Sequence, residues 1–148
     1  MISRRSFVHA AGALFALGAL PRAHAQYATT MTVYMSAACG CCDEWQKHMR
    51  ASGFRLETHK LGDVTPVKQK LGVPESLWSC HTATVGNYVV EGHVPAADVK
   101  RLLREKTKVK GLAVPGMVAG SPGMEQGPPQ PFATLAFDER GSQVYERH

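Results

Sequence analysis

Two features missing from this 148-residue sequence each exclude a class of protein. No apolar run is long enough to cross a bilayer: the stretch from Phe7 to Leu20 holds roughly 13 residues, where a spanning helix needs about 20. No block of clustered lysine and arginine is present, so the footprint expected of a nucleic-acid-binding surface is absent. Basic residues are mixed among Asp and Glu, and the run from Lys100 to Lys110 reads as the solvated face of a helix and its exit. There is no internal repeat, and no pocket for an organic substrate can be argued from the residues.

What is present begins with a leader-like segment. Arg4 and Arg5 precede the apolar run, and Ala23-His24-Ala25 reads as a small-x-small cleavage site. Ser3-Arg4-Arg5-Ser6-Phe7 also resembles a twin-arginine export signal. The expected organisation is therefore a signal peptide over residues 1–25 and one domain over 26–148, a membrane anchor being the alternative. Cleavage removes Arg4, Arg5 and Arg22 and no acidic residue, so the formal charge of +5 falls to about +2. The remaining chain, about 123 residues, suffices for one domain with a modest core.

All four cysteines lie beyond the leader, at positions 39, 41, 42 and 80. In an oxidising compartment disulfides are the default expectation. Three cysteines within four positions would staple a fold poorly, because such small loops close little chain entropy. The cluster suits redox chemistry or metal binding better.

The pattern of the chain predicts an α/β fold. Thr30 to Ser36 alternates as a strand. A helix follows over Cys42 to Ser52, with Trp45, His48 and Met49 on one face and Asp43 and Glu44 in the first turn, where the dipole favours negative charge. Phe54 to Lys60 is a second strand. Thr65 is expected as the N-cap of a short helix ending at Leu71, with Pro66 at the first helical position. Val73-Pro74-Glu75 is a turn or a single helical turn. His81 to Val85 and Tyr88 to Glu91 form a hairpin around Gly86-Asn87. Pro95 to about Lys106 is an amphipathic helix with Val99, Leu102 and Leu103 inward. Gly111 to Pro131, rich in Gly and Pro, is expected to hold no regular element. Phe132 to Asp138 and Gln143 to Arg147 close the chain as a strand pair. The order β-α-β-α-β-β-α, with cysteines directly after the first strand, is the plan of a thioredoxin-like sandwich: a mixed central sheet, helices on both faces, a Gly/Pro/Met loop and a C-terminal hairpin.

On that plan Cys39-Gly40-Cys41-Cys42 holds a C-x-x-C pair, Cys39 and Cys42, with Cys41 as an extra thiol. A helix N-terminus stabilises thiolate, which is both nucleophile and metal ligand. A dithiol exchanger needs two sulfurs, and a third would divert its intermediates, so Cys41 points to metal. Cys80-His81 occupies the segment where thioredoxins carry a cis-proline. Cys80 reads either as a fourth thiol meeting the triplet or as a buried structural cysteine. His93, after the hairpin, is a ligand or an ordinary hydrogen-bonded histidine. Met117 and Met124 sit on the small-residue loop, either as soft thioether ligands that select copper(I) or as plugs for an apolar gap. In both cases the loop can fold over the cysteines as a lid. His48 and His59 read as ordinary helix and strand residues, and the terminal His148 carries no signal.

Cys39-Gly40-Cys41-Cys42, Leu71-Gly72-Val73-Pro74, Ser79-Cys80-His81-Thr82-Ala83, Glu91-Gly92-His93-Val94-Pro95 and Gly111-Leu112-Ala113-Val114-Pro115-Gly116-Met117 together resemble the CopG-like proteins. The likeness runs from about Thr30 to Tyr145. It implies a periplasmic thioredoxin-like protein of copper resistance, holding a multinuclear copper cluster and acting in copper redox interconversion or in hand-off to an efflux system or periplasmic chaperone. Carried onto this chain, the implied ligands are Cys39, Cys41, Cys42 and Cys80, with His81, His93, Met117 and Met124 as contributors. Neither a nucleic-acid partner nor stable membrane insertion is expected. The residues leave two other readings open: a thiol–disulfide oxidoreductase with Cys39 as nucleophile and Cys42 as resolving thiol, and a structural zinc or iron–sulfur site.

Overall fold

Alternation along Thr30–Ser36 makes β1, whose Met31, Val33 and Met35 are fully buried while the residues between them stay partly exposed. In the computed structural model, which describes residues 29–148, this strand is the hinge of the architecture. The expected signal peptide and its cleavage site lie outside the described residues. From β1 the chain crosses through α1 (Gly40–Ala51) to β2 (Arg55–Leu61), which pairs parallel to β1. It continues through α2 (Thr65–Lys70) and a single 3-10 turn at Glu75–Leu77. β3 (His81–Val85) then lies antiparallel on the other side of β1, and β4 (Tyr88–Gly92) folds back on β3.

Helix α3 (Ala96–Glu105) carries the chain to β5 (Gly111–Val114), parallel to β4. β6 (Ala133–Asp138) and β7 (Gly141–Arg147) complete a seven-stranded mixed sheet in the order β2-β1-β3-β4-β5-β6-β7. The first four strands and their helices form the thioredoxin-like unit, and β5 to β7 extend it. Among the described residues no helix is long and apolar enough to cross a membrane.

β5 corrects the expectation that nothing regular follows Gly111. All four of its residues are buried between β4 and β6. A strand covered on both faces is apolar throughout, so it has no alternation to read. Four residues starting with glycine then look like the loop that follows. The remainder of that segment, up to Pro131, is irregular, as expected.

Period-two alternation sorts the sheet's two faces. Trp45 and Met49 of α1 and Val99 and Leu102 of α3 pack with Val33, Ala83, Val90 and Leu112 on one face. Val73 and Leu77 pack with Val89, Ala113 and Phe137 on the other, the face that also receives Lys68 of α2. Helices therefore cover both faces. The cross-strand pair Ala83–Val90 belongs to the first face, and its neighbour Thr82–Glu91 to the second.

Several element ends differ from expectation in ways that matter chemically. α1 starts at Gly40, earlier than expected, so Cys41 and Cys42 lie in its first turn and Cys39 is the extended residue ahead of it. Thr65 is the first helical residue of α2 and not its cap; the Asp63 carboxylate accepts the Thr65 N–H at 2.8 Å instead. Two histidines without a sequence signal hold structure. His48 Nε2 accepts the Ala96 N–H at 3.0 Å, tying α1 to the first turn of α3. His148 Nε2 lies 2.9 Å from the Asp98 carboxylate, and its ring stacks on Phe132.

Candidate metal centre

The four cysteines converge. Their sulfurs lie within 4.8 Å of one another, although Cys80 is 38 residues beyond Cys42 in the chain. β1 and β3 are neighbours, with Met35 opposite His81, so the end of β1 that leads into α1 meets the start of β3. Cys41 Sγ stands 3.4 Å from Cys39 Sγ and 3.9 Å from Cys80 Sγ. Cys39 and Cys42 are joined as a disulfide, whereas Cys41 and Cys80 are free thiols. Cys42 is fully buried against the core, and the other three are half-buried.

Cys80 belongs to a second cluster with His81 and His93. Its sulfur is 3.2 Å from His81 Nδ1 and 2.9 Å from His93 Nε2. His93 is oriented from behind, because its Nδ1 lies 2.7 Å from the Pro122 carbonyl, which can only accept. That contact places the ring proton on Nδ1 and leaves the Nε2 lone pair facing the sulfur. His81 is completely buried under the Trp45 indole, with ring centroids 4.2 Å apart, and its Nε2 has no hydrogen-bond partner among the described residues. The two imidazoles meet edge to face at 5.2 Å.

The electrostatics favour uncharged donors. Burial, reinforced by nearby Cys41, pushes the Cys80 thiol up to about 12. Burial also holds His93 below the ordinary histidine value, and it holds His81 well below, helped by His93 and Lys68. Neutral imidazole is the ligating form. A thiol that resists ionisation in water-poor surroundings still gives up its proton to a soft cation.

The loop after β5 closes over this arrangement, as the composition suggested. Gly123, at φ +86°, packs directly on the start of α1: a Cβ there would lie 2.6 Å from the Trp45 nitrogen and 2.8 Å from the Cys41 carbonyl oxygen. Met117 Sδ reaches 4.0 Å from Cys41 Sγ while the side chain stays 56% exposed, so it is not filling an apolar gap. Met124 lines the same open cleft with Cys41, Glu44 and Gln126. The structure thus brings Cys39, Cys41, Cys42, Cys80, His81, His93 and Met117 together, with Met124 on the cleft beside them. Cys80 is not an isolated core cysteine.

This donor set suits a soft cation: thiols, a thioether and neutral imidazoles. A hard cation would want carboxylates and carbonyls in their place.

Two solved structures of a copper resistance protein copG, Form 1 and Form 2, share this architecture. Each is 42% identical to this chain at a TM-score of 0.77, covering 82% of this chain and 98% of the other. The chain belongs to the CopG family. A family model described as a protein of unknown function, DUF411, also matches residues 77–124, the span from the 3-10 turn to Met124. No curated protein compared with it matches. Four of the five CopG-like segments surround the site: the cysteine triplet, Ser79 to Ala83, Glu91 to Pro95 and the stretch through Met117; the fifth, Leu71 to Pro74, packs in the core of the sheet's other face.

Several residues that shape the centre escaped the reading of the sequence. Trp45 was assigned only to a helix face, yet it roofs His81 and donates its indole N–H to the Val94 carbonyl at 3.0 Å. Lys68 and Glu91 form a buried pair at 2.6 Å that reaches the backbone of Ser79. An acidic residue inside the apolar strand Tyr88–Gly92 was the available signal, since a buried carboxylate needs partners. Gly92, at φ +70°, has no room for a side chain, because a Cβ would lie 2.5 Å from Ser79 Cβ.

Proposed function

We propose that this chain is a periplasmic copper-handling protein that takes copper(I) as its cargo, in a cluster of more than one ion, and serves copper resistance by redox interconversion or hand-off. Cys39, Cys41, Cys42 and Cys80 would supply the thiolates. His81, His93, Met117 and Met124 would complete the coordination. The observation that carries this reading is the position of Cys80, whose sulfur is common to the thiol cluster and to the His81–His93 pair. A sulfur shared between two donor groups is the natural bridge for neighbouring ions. Membership of the CopG family supports copper over other soft metals.

The disulfide supports a redox element within the same reading. Two of the four sulfurs are tied up between Cys39 and Cys42, and opening that bond takes two electrons. Two copper(I) ions, each losing one electron, would supply them and leave two copper(II) ions and two thiolates. The reverse step would reduce two copper(II) ions and close the bond. Export with a signal over residues 1–25 would bring the domain to the periplasm, where an efflux system or copper chaperone could receive the ion. The mature N-terminus should then fall near Gln26.

The decisive experiment loads reduced protein with copper(I) without oxygen and measures metal per chain together with sulfur-to-copper charge-transfer absorption. More than one tightly held copper per chain is expected. Less than one, or zinc or iron in native protein, would overturn the assignment.

One observation favours a second reading. Cys39, half-buried, and Cys42, fully buried, form a disulfide at a helix N-terminus, the arrangement of a thiol–disulfide oxidoreductase. That reading requires insulin reduction by the metal-free protein, undiminished by loss of Met117 and Met124.

A further inference from the structure

Cys80 stands alone between two anchored residues. His81, after it, is the first residue of β3 and is held in the sheet opposite Met35. Ser79, before it, lies outside any strand, yet its backbone N–H donates at 2.7 Å to Glu91 Oε1. Glu91 is fully buried on β4, and the same oxygen accepts from Lys68 Nζ at 2.6 Å. Its other oxygen accepts from Thr82 Oγ1 at 2.6 Å, and Lys68 Nζ donates to that hydroxyl at 2.9 Å. The network is closed: one carboxylate, one ammonium, one hydroxyl and a single backbone amide. Gly92 lets Ser79 approach where any side chain would block it. On its outer side the Ser79 hydroxyl donates to the Gly116 carbonyl of the covering loop.

A buried ion pair is weak support for stability, because desolvation offsets most of its attraction and an apolar pair of the same shape does as well or better. Apart from the Thr82 hydroxyl, the pair's one further partner among the described residues is the Ser79 N–H. We propose that Lys68 and Glu91 are positioning residues for Cys80: the carboxylate, held by Lys68 and Thr82, fixes the Ser79 amide and thereby sets the Cys80 sulfur against Cys41 and His93. The device stands in the segment where a thioredoxin uses a proline to shape the chain. Its functional meaning rests on the copper reading, but the placement of the sulfur can be tested without metal.

The test uses the full chain carrying Cys39→Ser and Cys42→Ser, so that only Cys41 and Cys80 remain. Diamide then oxidises these two thiols to one disulfide, itself taking up two electrons and two protons. The rate reports how well the sulfurs are aligned. Two versions of the pair are compared, Lys68→Met with Glu91→Gln and Lys68→Met with Glu91→Met. Both remove the buried charges with side chains of similar size, but only Gln keeps an acceptor for the Ser79 amide. The Gln version should couple at close to the parent rate, and the Met version about tenfold slower or more, since small misplacements of reacting atoms cost rates of that order. Equal rates for the two versions, at equal melting temperature, overturn the proposal. If the Met version fails to fold, amide exchange in the unaltered protein decides. The Ser79 N–H should exchange as slowly as the amides of β3, and exchange at the rate of an exposed loop amide overturns the proposal.

Discussion

His93 Nε2 stands 2.9 Å from Cys80 Sγ, with the Pro122 carbonyl behind the opposite ring nitrogen. A cation touching that sulfur meets the imidazole lone pair as well. His93→Ala should therefore weaken copper(I) binding by about tenfold or more, the scale seen when even outer partners of a metal site are lost. It should also cost about 1–3 kcal/mol of stability, because the Pro122 carbonyl loses its partner. Competition against a chromophoric copper(I) chelator, run beside a denaturant titration, separates the two effects.

Cys41 is half-buried, takes no part in the disulfide and touches both Cys80 and Met117 through sulfur alone. Cys41→Ser should leave stability within about 0.5 kcal/mol of the parent, as for most substitutions that disturb no core packing. Copper retention through gel filtration should fall markedly. Unchanged retention would remove Cys41 from the centre.

Gly123 is where the covering loop meets α1. An added methyl at φ +86° would run into the Trp45 nitrogen and the Cys41 carbonyl, and backbone atoms cannot give way as a flexible side chain would. Gly123→Ala should cost about 1–3 kcal/mol and lift the loop. Faster alkylation of Cys41 and new protease cleavage between Val118 and Gln130 are the expected signs.

His48 should make stability depend on pH. Burial holds its pKa below the ordinary value of 6.5, against an opposing pull from Glu125, and its Nε2 accepts the Ala96 N–H only while unprotonated. Because the folded protein binds that proton less readily than the unfolded chain, its contribution is complete above about pH 6.5 and is lost as pH falls toward the folded value. His81 and His93 shift in the same direction. Melting temperatures between pH 8 and pH 5 should fall with acidity, and His48→Gln, which keeps an acceptor, should flatten part of that slope. A parallel slope in the variant would remove His48 from the account.

Legibility followed local signals. β1 was readable because one side of it is buried in the core and so repeats every second residue, and β3 because the Gly86-Asn87 turn marks its hairpin with β4. β5 was not, because burial on all sides erases the repeat. The start of α1 was displaced because Cys39-Gly40-Cys41 carries no capping side chain, and among the described contacts of Cys39 none is a side-chain cap. His148 was silent because its partner Asp98 is far away in the chain.

By itself the sequence determined the chemistry on offer. It set three thiols in four positions after a first strand, a fourth thiol beside a histidine, and methionines on a loop too small-sided to bury them. Those are local properties, carried by residue type and spacing. Only the tertiary structure decided which donors share one space, that Cys39 and Cys42 are bonded while Cys41 and Cys80 are free, and that Lys68 and Glu91 reach the residue before Cys80. Contacts of that kind depend on strand order and on which side of a strand each residue faces. Cys41 meets Cys80 across 39 residues and Lys68 meets Glu91 across 23, separations that no local pattern carries.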